Sequence, residues 1–78
     1  MKNNDVIISF LNHYPNNTQH LYSDGQKLIN YSTVIAYHKD GNLYINKNKY
    51  SVTTSKIQYH LVRLATELFE NGQIIFYE

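Results

Sequence analysis

The chain has 78 residues, 42% of them apolar and 17% charged, with a formal net charge of +1 and no cysteine. That length supports one domain with one core, residues 1–78, and the missing cysteines exclude both a disulfide staple and a thiolate metal site. A charge so near zero lacks the basic excess that marks a nucleic-acid binder by charge alone.

The opening "MKNNDVIISFLNHYP" holds an apolar run of only about six residues, too short for a signal peptide and far too short for a membrane span. A cytoplasmic protein with no membrane attachment is expected. Asn3 or Asn4 can cap a helix through Val6, Ile7, Phe10 and Leu11, which form one apolar stripe. Pro15 ends it, with Tyr14 already extended, and "PNNTQH" reads as a polar loop. In "LYSDGQKLINYS", Asp24-Gly25 between short apolar runs suits a tight hairpin or turn.

Tyr31 to His38 alternates as a strand, and Asp40-Gly41 follows as the centre of a type I′ turn. That loop pairs Lys39 with Asn42, His38 with Leu43, Tyr37 with Tyr44 and Ala36 with Ile45. The two-residue period then puts Val34, Ala36, Leu43 and Ile45 on the core face. Tyr31, Thr33, Ile35, Tyr37, Tyr44 and Asn46 fall on the opposite, aromatic face. A reversal at Lys47-Asn48 leads to a third strand near residues 49–52. Ile57, Leu61, Leu64, Ala65, Leu68 and Phe69 recur with helical spacing over about four turns, and Gly72 or Asn71 is placed to supply a left-handed cap. "QIIFYE" reads as a strand that joins the meander. The expected fold is α+β: helix, antiparallel three-strand meander with an extra hairpin at its start, helix, C-terminal strand.

The stretch "YSVTTSKIQYHL" crowds hydroxyls ahead of the second helix. The first four N–H groups of a helix have no internal partner, and Thr53, Thr54 or Ser55 can accept from one, with Ser55 and Gln58 spaced as a capping box. An anion site using Lys56 competes with this reading, but no glycine-rich turn precedes it. A Ser-x-x-Lys nucleophile pair fails at its first position, where Thr53 stands. No paired carboxylates serve acid–base chemistry, and the four histidines lack metal-ligand spacing. No enzyme, cofactor or metal is therefore expected.

Residues 28–61, "LINYSTVIAYHKDGNLYINKNKYSVTTSKIQYHL", resemble a small uncharacterised domain of phage and prophage proteins, with a "YSTVIA" strand followed by "KYSVTTSK" and a glutamine. The resemblance implies a short αβ domain of phage or mobile-element origin and supplies no catalytic residues. Small phage proteins often bind and disable a host factor, so an anti-defence or host-takeover inhibitor is the concrete expectation.

The binding candidates are Tyr31, Ile35, Tyr37 and Tyr44, flanked by Lys39, Lys47 and Lys49. If the first helix lies across these rings they are a second core layer. If the face stays open, rigid aromatics make a hot spot for a host protein or a stacking platform for nucleic acid, and a homodimer competes for the same surface.

Overall fold

The computed structural model describes residues 3–78. Helix α1 (Asn3–Leu11) is followed by five strands: β1 (Pro15–Asn17), β2 (Leu21–Asp24), β3 (Lys27–Asn30), β4 (Thr33–Lys39) and β5 (Asn42–Asn46). Helix α2 (Val52–Leu68), a 3-10 turn (Asn71–Gln73) and β6 (Ile74–Tyr77) complete the chain. The fold is α+β, with a six-stranded sheet in the order β1-β2-β3-β4-β5-β6. The first five strands pair antiparallel and β6 pairs parallel to β5.

Three expectations about this order are corrected. "PNN" is an edge strand rather than loop, starting on the proline that an edge tolerates because its missing N–H faces no partner. No strand forms at 49–52, because the extended Ser51 is the cap of α2 (φ −107°, ψ 170°). The place beside β5 is taken by β6, and a parallel pair needs a crossover of about a dozen residues or more, which α2 provides. Gly72 is not a left-handed cap. Helix α2 stops at Leu68, Phe69 turns extended, and Gly72 sits in the 3-10 turn. There Glu70 and Gln73 exchange hydrogen bonds: Gln73 N–H donates to the Glu70 carbonyl at 2.9 Å and Glu70 N–H to Gln73 Oε1 at 3.1 Å.

The α1 stripe behaves as its spacing requires, with Val6, Ile7, Phe10 and Leu11 all buried. Asn3 and Asn4 lie within the helix, and the position ahead of Asn3 is outside the described residues. Its C-terminus closes as a Schellman motif: His13 is left-handed (φ 64°), Tyr14 N–H donates to Ser9 O at 2.8 Å and His13 N–H to Phe10 O at 3.0 Å. The stripe packs with Leu21, Leu28, Ala36, Leu43 and Ile45 of the sheet and with Ile57, Leu61 and Ala65 of α2 in one core cluster. Both helices therefore cover the same sheet face. Leu68, placed on the α2 stripe by spacing, is exposed beyond it.

The Asp40-Gly41 turn has positive φ at both residues, 54° and 79°, and gives the expected register from Ala36↔Ile45 to Lys39↔Asn42. Upstream, the register slips. Leu28 pairs with Ala36 but Ile29 pairs with Val34, leaving Ile35 as the extra residue of a bulge. Ile35 and Ala36 are consecutive and both 0% exposed. Parity reverses across the bulge, so Val34 turns out of the core and Ile35 into it.

Capping holds the α2 entrance, through a residue other than those expected. Ser51 Oγ accepts from Thr54 N–H at 3.1 Å, while Gln58 leaves the capping box and donates through Nε2 to Asn46 O and Asn48 O at 2.7 and 3.0 Å. Those two bonds tie α2 to the connection from β5.

Candidate binding surface

The sheet face away from the helices is built by cross-strand register. One row runs Lys27, Tyr37, Tyr44, Ile75 across four strands, about 14 Å at the usual strand spacing. A second runs Tyr22, Ile29, Val34. The Tyr37 and Tyr44 rings stack, 4.9 Å apart and 7° from parallel, and Tyr77 leans on Tyr37 at 5.6 Å and 52°. Tyr22 is exposed, while Ile29, Val34, Tyr37, Tyr44, Ile75 and Tyr77 are half-buried against one another. Burial holds the Tyr77 phenol above the usual tyrosine value, reinforced by the phenols of Tyr37 and Tyr50. At neutral pH the ring works as an uncharged hydrogen-bonding group.

The residues expected to make this surface divide. Tyr37 and Tyr44 meet on it. Ile35 does not belong to it, because the bulge buries it. Tyr31 leaves the sheet in a turn at φ 58°, 63% exposed, its ring stacked on His20 at 4.8 Å. Lys39 stands at the turn end of β4, whereas Lys47 and Lys49 follow the far end of β5, so the three cations do not cluster. Lys47 Nζ lies 3.6 Å from the Glu78 carboxylate. The first helix does not lie across these rings, since its apolar stripe is spent on the opposite face. Sequence reasoning did not place Ile75 and Tyr77 here because their membership depends on the parallel β5–β6 register. It set Val34 on the other face because the bulge was invisible.

Hollows open at the sheet edge, between the helices and beside the β4–β5 turn. One of about 330 Å³ runs between α2 and the β5–β6 edge, lined by Ile45, Tyr59, Val62 and Phe76 with Lys49 and Gln58 at its margin. Another, about 450 Å³, lies between the N-terminal ends of α1 and α2 and includes Asn3, Thr53, Lys56 and His60. The hydroxyls of the α2 entrance do not converge there: Ser51 is spent on Thr54, Thr54 Oγ1 donates to buried Asn30 Oδ1 at 2.6 Å, and Ser55 faces the other groove. Among the described residues no three histidine, aspartate or glutamate side chains gather as a metal site needs. Among the described residues no helix is long and apolar enough to cross a membrane.

The third hollow, about 320 Å³, opens beside His38, His13, Gln26, Lys39, Asp40 and Phe69. His38 is buried between Phe10 and His13, ring centroids 4.4 and 3.9 Å away. Its Nε2 lies 2.8 Å from Phe10 O, and since a carbonyl only accepts, that nitrogen carries the proton. Burial pushes His38 below the usual 6.5; the Phe10 carbonyl opposes this, and His13 adds to it. A histidine depressed in the fold binds its proton more readily once unfolded, so its stabilisation is complete above the unfolded value and is lost as pH falls below it. The thermal midpoint should therefore drop between about pH 7.5 and 5.5, and His38→Phe, which cannot titrate, should show a flatter profile. Parallel profiles for the two proteins would disprove the assignment to His38.

A family model matches residues 4–76. The chain belongs to DUF8033, a family of unknown function. No curated protein and no solved structure matches it. The DUF8033 match reaches well beyond residues 28–61, taking in α1 at one end and β6 to Phe76 at the other. The open tyrosine face is thus built wholly within strands of the DUF8033 unit, apart from Tyr77 at its margin.

Proposed function

We propose that this chain is a non-enzymatic binding protein that acts stoichiometrically on another protein through the open sheet face centred on Tyr37 and Tyr44. The supporting observation is the stacked, half-buried pair on a face that neither helix covers. Rigid aromatics bordered by Ile29, Val34 and Ile75 offer contact area at low entropic cost, as protein-binding hot spots do. The dispersed lysines, one of them beside Glu78, supply little of the counterion displacement that a polyanion demands. The resemblance to small phage proteins gives this reading its concrete form: a phage-encoded inhibitor acting on a host factor, including a defence protein, in the host cytoplasm.

Tyr37→Ala with Tyr44→Ala tests it against a purified partner first captured from host extract. At about 2 kcal/mol per hot-spot ring, the pair should weaken binding by roughly three orders of magnitude while a cooperative melt persists. Unchanged affinity would exclude the face. A parallel titration with oligonucleotides that gives tight binding and a steep salt dependence would transfer the surface to nucleic acid.

A further inference from the structure

The two edges of the sheet are treated differently. Edge strand β1 is three residues long, starts with proline and continues with asparagines, features that discourage pairing with another chain. Edge strand β6 reads Ile74-Ile75-Phe76-Tyr77, with no proline and no charge. Strands of this composition recruit further strands unless something blunts them.

The unpaired backbone of β6 can be assigned residue by residue. Lys47 N–H donates to Tyr77 O at 2.8 Å, so the Tyr77 carbonyl points toward β5. Backbone direction alternates along a strand, which turns the N–H and C=O of Phe76 away from β5, with those of residues 74 and 78 in phase. Ile74 N–H is taken by Asn71 O, leaving its carbonyl. The Phe76 ring is 48% exposed and lines the groove beside α2, next to Tyr59 and Val62.

We infer that the chain forms a two-fold symmetric dimer through antiparallel pairing of β6 with β6 of a second copy, centred on Phe76. Only a centre on a residue keeps opposed side chains on the same sheet face, as antiparallel pairing requires. A centre on Phe76 makes that residue a hydrogen-bonded pair with its own copy, sets Ile75 opposite Tyr77, and sets the Ile74 carbonyl opposite the residue 78 N–H. A centre on Ile74 would run the ladder into the 3-10 turn. In this arrangement the exposed Phe76 rings cover each other across the paired α2 grooves. Twelve strands then form one sheet, and the tyrosine faces of both copies become continuous and stay open. The dimer does not depend on the binding role proposed for that face.

The lack of cysteine permits a direct test. In a hydrogen-bonded antiparallel pair the Cα atoms lie about 5.5 Å apart, within the roughly 4.4–6.8 Å a disulfide spans. Phe76→Cys should crosslink under mild oxidation, and Val34→Cys, on the open face, should not. Sedimentation of the unmodified protein should show a concentration-dependent dimer. Phe76→Pro, which removes the outward N–H but none of the β5 ladder, should raise its dissociation constant at least about tenfold in a folded protein. If the proline variant does not fold, Phe76→Lys, which keeps the backbone donor and sets two like charges face to face, takes its place. Tyr37→Ala with Tyr44→Ala should leave the dimer intact. A protein that stays monomeric into the millimolar range, crosslinking at residue 34 rather than 76, or a dimer unaffected by the Phe76 variants would each overturn the inference.

Discussion

Replacing Asn30 with alanine is expected to destabilise the fold by about 2–4 kcal/mol, a large share of the ~4–12 kcal/mol that a chain of this length holds in total. Asn30 is 1% exposed and joins three separate parts of the molecule. Its Nδ2 donates to His20 O at 3.0 Å and holds the β1–β2 connection. Its Oδ1 accepts from Thr54 Oγ1 at 2.6 Å, and Ser51, the cap of α2, donates to that same Thr54 oxygen at 3.1 Å. Alanine leaves the Thr54 hydroxyl proton without its acceptor and the His20 carbonyl with the Tyr31 N–H alone, and it opens a small void as well. Thr54→Val removes only the hydroxyl while preserving the branched shape, and should cost about 1–3 kcal/mol. Because the two residues share one bond, the double variant should fall short of the summed losses by about 0.5–3 kcal/mol. Urea unfolding of the four proteins checks this. Additive losses, or less than about 1 kcal/mol for Asn30→Ala, would mean the network does not hold α2 to the sheet.

Gly25→Ala is expected to cost about 2–4 kcal/mol, from backbone strain and a collision together. Gly25 has φ +95°, outside the region other residues visit readily, and an added Cβ would lie 2.9 Å from the backbone oxygen of His13. That oxygen cannot swing aside like a side-chain tip, since it belongs to the left-handed residue that closes α1. The turn around it is also pinned. Asp24 Oδ1 accepts from Gln26 and Lys27 N–H at 2.8 and 2.7 Å, and Gly25 N–H donates to Ser23 Oγ at 3.1 Å. Gly41 is the control: its φ is +79° but nothing lies within 4 Å of an added Cβ, so Gly41→Ala should cost about 1 kcal/mol, strain alone. Equal losses at the two glycines would show that the contact with His13 contributes nothing. A larger loss at Gly25, accompanied by a His38 that titrates nearer its usual value, would show that the displaced cap also loosens the histidine stack.

Much of this was legible in the residues because it is local. Val6, Ile7, Phe10 and Leu11 need only helical spacing to share a face. Asp40-Gly41 needs only two positive φ values to set the β4–β5 register. Tyr37 and Tyr44 followed from that register directly. The tyrosine face was half legible: its central pair came from turn chemistry, while Ile75 and Tyr77 arrive from a strand more than thirty residues later in the chain. The hydroxyl-rich entrance was recognisable as a capping segment, but several residues could have filled the cap.

By itself, then, the sequence determined the two amphipathic helices, a turn next to Asp24 and one at Asp40-Gly41, and the β character of the last residues, since side-chain period and turn chemistry act over a few positions. Tertiary structure alone decided that β6 lies parallel beside β5, that a bulge sends Ile35 inward and Val34 outward, and that Ser51 caps α2 while Thr54 reaches Asn30. It also brought His13 onto His38 and left the tyrosine face bare. Each of those outcomes depends on which distant groups can bury apolar surface or satisfy a backbone donor together, and no window of neighbouring residues contains that information.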